Sequence, residues 1–478
     1  MKVTIREFRF EDIPLKISWI NNPENNQFLH YDLPLEYEKT CIWFEKNKGR
    51  ADRYDAVIEV NGTPVGLIGL LSIDSKNQKA EYYVSMGETR FKGHGVASKA
   101  SNLLLEYAFR HLKLEKVYLY TETGNVIAQK LFERVGFRKE GILKHDLISR
   151  GRFVDRIAYG ITKVEYLLSH GMTPITFLGD EFSNRLFIKR DDLIPYSFGG
   201  NKARKGFMFF QEIDAGNYDC VVTYGSSHSN HCRIVANMAA ARNMKCYIVG
   251  PEEISDLTYN SRFMDLFGAE ITTVPVKQVH DTIENKMHEL RSEGHNPYFI
   301  PGGGHGNLGT EAYIQCYDEI RAYEQDHGTH FDYIFFASGT GTTHAGLVCG
   351  QLMNKDERMT VGISIARKNP RGRQVIIDSI HKYLASNNIL ISDDQIEAAT
   401  IFDDSYTGRG YAKEDDEIKE TIRDVLTKYG LPLDSTYTGK AFRGMREYLK
   451  EKNITDKKIL FIHTGGTPLF FDDLGGKL

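Results

Sequence analysis

Beyond about residue 174 the chain repeats one unit, an apolar strand-like run, a loop of small residues and a helix-patterned segment. VVTYGSSHSN runs into HCRIVANMAAA, YIFFASGTGTT runs into HAGLVCGQLM, and ILFIHTGG closes the series. Continuous apolar runs are strands buried on both faces. Strands of that kind joined through helices form mostly parallel β-sheet structure, with ligand loops at the carboxyl ends of the strands. This pattern excludes an all-helical or all-antiparallel fold for the second part of the chain.

A chain of 478 residues with 41% apolar and 26% charged content buries two or three globular cores. The first part, to about Tyr166, alternates strands and helices, with strand-like runs at Tyr54–Val60, Val65–Leu71, Ala80–Met86 and Lys116–Thr123. The segment LSHGMTP breaks the pattern, which restarts at Leu186–Arg190. The expected fold class is α/β throughout, with one domain over residues 1–167 and a second over 172–478. A net charge of −4 without a Lys/Arg block argues against a nucleic-acid surface. MKVTIREFRFEDI is charged throughout and no apolar run reaches membrane-spanning length, so the expectation is a cytoplasmic protein with no membrane partner. Cys41, Cys220, Cys232, Cys246, Cys316 and Cys349 form no Cys-x-x-Cys pair and read as core or neutral thiols.

In the first domain RFKGHGVASKA follows the strand AEYYVSM and opens a helix with apolar positions Val96, Ala100, Leu103, Leu104 and Tyr107. Arg90, Gly93, His94, Gly95, Val96 and Ala97 form an anion cradle by placement: glycines let the backbone approach a pyrophosphate, and the free amides at the helix start supply donors. An ordinary βα turn has the same composition, and Ser98 stands where a dinucleotide fingerprint needs a third glycine. The arrangement resembles the GCN5-related N-acetyltransferase (GNAT) family. A second signature, Asn125, Ala128, Leu131, Gly136 and Phe137 in NVIAQKLFERVGFRKEG, matches the same family. Its nearest flavour is the branch acting on protein amino termini, aminoglycosides and amino sugars, through WINNPE and EYAFRHLKLEKVY. The resemblance implies acetyl-CoA as cosubstrate and an amine as acceptor. The chemistry needs a base and an acid. Glu81 is the candidate base, although an exposed strand carboxylate reads the same way. Many relatives place a tyrosine as acid where this chain has Phe132, which leaves the acid to Tyr83, to water, or to no group at all.

In the second domain GGNKARK sets Lys202 in a glycine-flanked turn. A surface turn is the bland reading of that lysine alone. One strand later come Ser229, Asn230 and His231; a further strand leads into Gly339, Thr340, Gly341, Thr342 and Thr343, a phosphate cup of close amides and hydroxyls at a helix start. The last strand delivers Thr464. A nucleophilic lysine, a hydroxyl/amide turn and a phosphate cup are what pyridoxal 5'-phosphate demands. With IKRDDL, GGGHGNLG, DSTYTGKAF and FIHTGG the series resembles the tryptophan-synthase-β-like (fold type II) enzymes, in particular the 1-aminocyclopropane-1-carboxylate deaminase/D-cysteine desulfhydrase family. The resemblance implies that Lys202 links the cofactor and moves the α-proton. It also implies that Asn230 binds the phenolic oxygen, and that Ser229 and His231 face the substrate. Thr464 would lie beside the pyridine nitrogen, where a hydroxyl makes a weaker electron sink than a carboxylate does. Tyr411, in GRGYAKEDDE, keeps a family tyrosine as a second acid/base while its flanking loop departs from the family, which unsettles the family's substrates. His228, His231, His305 and His344 lack partners with metal-ligand spacing, so no metal is expected. A homodimer is the family's common state.

An acetylated nitrogen cannot link to the cofactor, and a deaminated product has no nitrogen left to acetylate. If both domains serve one small amino acid, the pyridoxal step comes first and keeps the nitrogen, as racemisation or β-replacement does. Deamination or desulfhydration would leave the acetyltransferase to another amine, such as an amino sugar. An acetyl-CoA-sensing first domain is the reading of a different class.

Overall fold

The computed structural model describes residues 3–149, 151–169, 172–254, 257–408, 410 and 415–474. It divides into two compact units, 1–169 and 170–478.

The first unit is built on seven strands: β1 (Val3–Glu7), β2 (Tyr54–Val60), β3 (Thr63–Asp74), β4 (Lys79–Met86), β5 (Lys116–Glu122), β6 (Arg138–Ser149) and β7 (Arg152–Thr162). Their order is β1-β2-β3-β4-β5-β7-β6. Successive residues of β2 enter opposite cores, Ala56, Ile58 and Val60 on one face and Val57 on the other, so the sheet is covered on both sides. Helix Val96–Glu106 sends Val96, Ala100 and Leu104 into the first core, while Ile13, Trp19 and Ile20 fill the second. The parallel pair β4–β5 is joined only between Lys79–Glu81 and Lys116–Tyr118, so the carboxyl-terminal halves of these strands are not paired with one another. The cradle loop leaves β4 at that end.

The second unit holds two sheets. One is parallel, ordered β12-β11-β10-β13, from β10 (Cys220–Tyr224), β11 (Lys245–Pro251), β12 (Glu270–Val274) and β13 (Pro297–Ile300). The other is ordered β16-β15-β14-β17-β9-β8, from β8 (Ile175–Glu181), β9 (Asn184–Lys189), β14 (Tyr333–Ser338), β15 (Met359–Ser364), β16 (Ile401–Asp403) and β17 (Lys458–Ile462). It is parallel except for the β8–β9 hairpin. Alternation again divides the cores: Phe335 and Phe461 face one way, Phe336, Leu460 and Ile462 the other. The carboxyl ends of β10, β11, β13, β14, β15 and β17 converge on one cavity of about 700 Å³, as the strand rule requires.

Candidate functional site

Lys202 reaches that cavity because of a backbone contact. Gly200, at φ +97°, starts helix Asn201–Ala215; a Cβ there would lie 2.6 Å from the Thr464 carbonyl oxygen and 3.0 Å from the Gly465 Cα. Only glycine permits both the conformation and the approach. The Gly200 amide donates to the Asp191 carbonyl (2.7 Å) and the Asn201 amide to that of Thr464 (3.0 Å), which ties the lysine's helix to β17. Behind it a buried ion network locks the helix. Arg204 bridges Asp191 (2.8 Å) and Glu319 (2.5 Å), and Lys189 meets Glu319 at 2.6 Å. Lys202 Nζ donates to the Gly303 carbonyl (3.2 Å), and burial pulls its pKa down to about 8. An amine in that range is neutral often enough to attack an aldehyde.

Ser229 is the N-cap of helix Asn230–Ala240, its Oγ accepting from the Cys232 amide (3.2 Å). Its hydroxyl proton remains available in the cavity. Asn230 Oδ1 accepts from Arg233 Nη1 and from Asn260 Nδ2, both at 3.0 Å, so its NH2 is the free end toward the cavity. His231 Nε2 lies 2.9 Å from Thr223 Oγ1, which itself donates to the Ile300 carbonyl at 2.7 Å, so the ring nitrogen is the donor. Burial and two neighbouring lysines hold His231 well below its usual pKa, hence neutral.

Gly339, Thr340, Gly341 and Thr343 line the cavity at the start of helix Thr342–Met353, and Thr464 lines the opposite end of the set. Thr342 corrects the sequence expectation. Its side chain is fully buried and accepts from Lys205 Nζ (2.7 Å), leaving the cup's hydroxyls to Thr340 and Thr343. Lys205, three residues after Lys202, was not singled out by the sequence; a lysine one helical turn on, on the same face, was the available signal. Arg367 donates to the Thr340 carbonyl (3.2 Å), and His305, Lys382 and Tyr437 also line the cavity. Tyr411 lies outside the described residues. Away from the cavity Asp219, Cys220 and His295 lie with ligand atoms within 4.8 Å, His295 Nδ1 being hydrogen bonded to Asp219 Oδ2 (2.9 Å). Burial and Asp219 push the Cys220 thiol up to about 12, and the other buried cysteines are likewise raised. These are neutral thiols.

In the first unit Gly93 and Gly95 take φ +82° and +73°, and Gly95 caps helix Val96–Glu106 without any side-chain cap. The amides of Val96 and Ala97 are therefore presented at the helix start beside the exposed Arg90 and His94. Asn125 Oδ1 caps the next helix by accepting from the Ala128 amide (3.3 Å). Glu81 is half-buried, and burial raises its pKa, as a proton acceptor for an ammonium requires. Tyr83 donates to Asp55 (2.7 Å) and is held far above its usual pKa, so its proton is committed there. Phe132 packs among Tyr82, Phe137 and Tyr159.

The second unit is thus an open α/β domain whose cavity sets a buried lysine and a helix-start cup of small residues side by side. The chain belongs to the pyridoxal-phosphate dependent enzyme family, whose model matches residues 166–465. Residues 2–138 match the acetyltransferase (GNAT) domain. The D-cysteine desulfhydrases of Serratia proteamaculans (strain 568) and Yersinia pestis (strain Pestoides F) are 32% and 31% identical to this chain. Each alignment covers 62% of the chain and 90% of the relative. A crystal structure of an ACC deaminase homologue is 31% identical, with a TM-score of 0.57 over 63% of this chain and 92% of its own. Spermidine N-acetyltransferase from Vibrio cholerae, solved with CoA and spermine, is 26% identical over 34% of this chain and 98% of its own, at a TM-score of 0.33. Membership makes pyridoxal 5'-phosphate the cofactor of the second domain, and the GNAT domain takes acetyl-CoA. The geometry fits both: an amide NH2 with its oxygen already engaged, a helix-start cup floored by Gly341 at φ +104°, and uncapped amides behind two left-handed glycines.

Proposed function

We propose that the chain is a bifunctional enzyme in which residues 172–478 remove the α-proton of a small amino acid and residues 1–167 acetylate an amine. The observation that carries the first half is Lys202, with its pKa near 8, in one cavity with Asn230, Ser229 and the Gly339–Thr343 cup. Bound there, pyridoxal phosphate supplies an aldehyde for Lys202 and an electron-withdrawing ring. Lys202 Nζ takes and returns the proton, Asn230 Nδ2 donates to the phenolic oxygen, and the Ser229 hydroxyl orients the substrate carboxylate, while neutral His231, its one N–H held by Thr223, faces the substrate. Gly339, Thr340, Gly341 and Thr343 hold the phosphate. Asp378, on the face of a helix beside the cup, is the sole carboxylate among the described cavity-lining residues, and Thr464 is a hydroxyl. The absence of a lining carboxylate at Thr464 favours racemisation, β-elimination or β-replacement over reactions that need a stronger electron sink.

In the first half, Arg90, Gly93, His94, Gly95, Val96 and Ala97 bind the pyrophosphate of acetyl-CoA, and Glu81 accepts the proton of the amine. If one metabolite passes through both domains, the pyridoxal step keeps its nitrogen and precedes acetylation. The resemblance to D-cysteine desulfhydrases favours a second reading, elimination with loss of nitrogen, in which the acetyltransferase serves a separate amine. Phe132 favours a third, an acetyl-CoA sensor without transfer.

Proton NMR in deuterated water, with the loaded protein, a panel of L- and D-amino acids and then acetyl-CoA, separates these. Loss of the α-proton signal without oxo acid, followed by new acetamide methyl signals, supports the linked reading. Oxo acid formation supports desulfhydration or deamination. Acetyl-CoA binding with no thiol release over a broad amine panel supports the sensor.

A further inference from the structure

Arg233 is the largest fully buried side chain among the described residues. It stands one helical turn after Asn230, and its guanidinium is used asymmetrically. Nη1 donates both to Asn230 Oδ1 (3.0 Å) and to Asn260 Oδ1 (2.7 Å), whereas Nε and Nη2 have no acceptor among the described residues. Asn260, itself completely buried, closes the triangle: its Nδ2 donates to Asn230 Oδ1 (3.0 Å) and to the His228 carbonyl (3.0 Å). The His228 contact fixes which end of the Asn260 amide is nitrogen. That in turn fixes Asn260 Oδ1 toward Arg233 and forces the Asn230 oxygen to be the shared acceptor. The amide at the cavity wall can present its NH2 and nothing else.

Leaving two guanidinium nitrogens unpaired in the interior is unfavourable unless negative charge lies nearby. Burial pulls the Arg233 pKa down to about 9, against which the Asp434 carboxyl and then the Tyr437 phenol act to raise it, so the guanidinium stays protonated at neutral pH. Asp434 accepts from the amides of Thr436, Tyr437 and Thr438 and from the Thr438 hydroxyl, so it makes no direct contact with Arg233 among the hydrogen bonds described. Burial holds Lys202 and Lys205 on the cavity side below the usual lysine pKa, Lys205 well below it.

We infer that Arg233 and Asn260 are positioning residues for the cofactor: together they lock the Asn230 carboxamide with its NH2 toward the cavity, and Arg233 places a fixed positive charge behind the site of the phenolic oxygen. The inference rests on the proposed roles of Lys202 and Asn230. A neutral amide donates a hydrogen bond but supplies no net charge; a guanidinium two hydrogen-bonded atoms behind it adds a field that favours the ionised oxygen. Dry, rigid surroundings keep that field effective, because solvent does not screen it.

The test uses full-length protein loaded with pyridoxal 5'-phosphate and reads the pH midpoint of the Lys202-linked cofactor's visible band together with cofactor affinity. Arg233→Lys, which keeps the charge, should hold the midpoint near that of the unaltered protein. Arg233→Gln should raise it by about one pH unit, since removing a cation disfavours the form with more negative charge. Asn260→Asp is the second probe should Arg233→Gln fail to fold. A carboxylate there both neutralises Arg233 and repels the Asn230 oxygen, so the midpoint should rise and cofactor affinity fall at least tenfold. An unchanged midpoint in a folded Arg233→Gln or Asn260→Asp protein overturns the inference. If the unaltered protein shows no Lys202-linked band at all, the assignment of Lys202 has failed instead, and the two failures are told apart by that control.

Discussion

Burying Lys202 should make the cofactor-free protein less stable than it would be with a neutral side chain. Its pKa falls from the ordinary 10.5 to about 8 through burial. The folded state therefore binds fewer protons than the unfolded state between pH 8 and 10.5. Stability rises with pH across that window, and the penalty is full below pH 8, where the lysine is charged in both states. At about 1.4 kcal/mol per pH unit the displacement is worth at most about 3.5 kcal/mol, and partial solvation of the cavity reduces that to about 1.5 kcal/mol. Lys202→Met should thus stabilise the cofactor-free protein by about 1.5 kcal/mol at pH 7, with the gain shrinking toward zero by pH 10.5. Trp19 and Trp43, the two tryptophans, both lie in the first unit. Urea unfolding followed by tryptophan emission should therefore not move, while the circular dichroism transition of the second unit shifts upward. A destabilised Lys202→Met protein at pH 7, or a gain that does not shrink between pH 8 and 10.5, would refute the reasoning.

Glu319→Gln leaves Lys189 and Arg204 without their shared carboxylate in a buried setting, and should cost the second unit about 3–5 kcal/mol in thermal or urea unfolding. Gly200→Ala forces a Cβ into the Thr464 carbonyl at a φ of +97°; the expected loss is about 2–4 kcal/mol, with weakened cofactor retention on gel filtration. Arg90→Ala should weaken acetyl-CoA binding about three- to tenfold by calorimetry, with the difference fading at high salt, because the side chain is exposed. Lys16 lies 3.1 Å from the Trp43 ring centroid with its pKa pulled down to about 7 by burial. Trp43 emission should titrate near pH 7, and Lys16→Met should abolish that step.

The parts of the site that lie along one strand and its following loop were legible, because small-residue loops at the ends of apolar strands leave a local signature. Lys202, Ser229, Asn230 and the cup all belong to that class. The Arg233–Asn260–Asn230 triangle was not, since Asn260 comes from a separate helix and no local pattern marks it. Thr342 was read by its neighbours' chemistry, but the helix turns it toward Lys205 instead. The β6–β7 hairpin also escaped: β6 is largely exposed and mostly polar, and in β7 the alternating core positions Ile157, Tyr159 and Ile161 follow a charged stretch that hides the strand's start. Two sheets, rather than a single one, follow from connections whose direction the strand pattern does not encode.

Charge balance in the cavity bears on the kind of substrate it accepts. Arg367 and Lys382 line the cavity against Asp378, and Lys205, buried behind the cup on Thr342, is held well below its usual pKa, so about one positive charge is left on that side to meet a phosphate dianion. No surplus cation is then left on that side for a second acidic group of the amino acid. At the opposite side Ser229 and Asn230 offer hydrogen bonds without net charge, and His231 is neutral with its N–H committed to Thr223. One α-carboxylate can be held there by the amides of a helix start, whereas a second carboxylate would be desolvated without a partner. A small neutral or thiol side chain on the amino acid therefore satisfies the cavity best, and a dicarboxylic amino acid should compete poorly with it in the α-proton exchange assay.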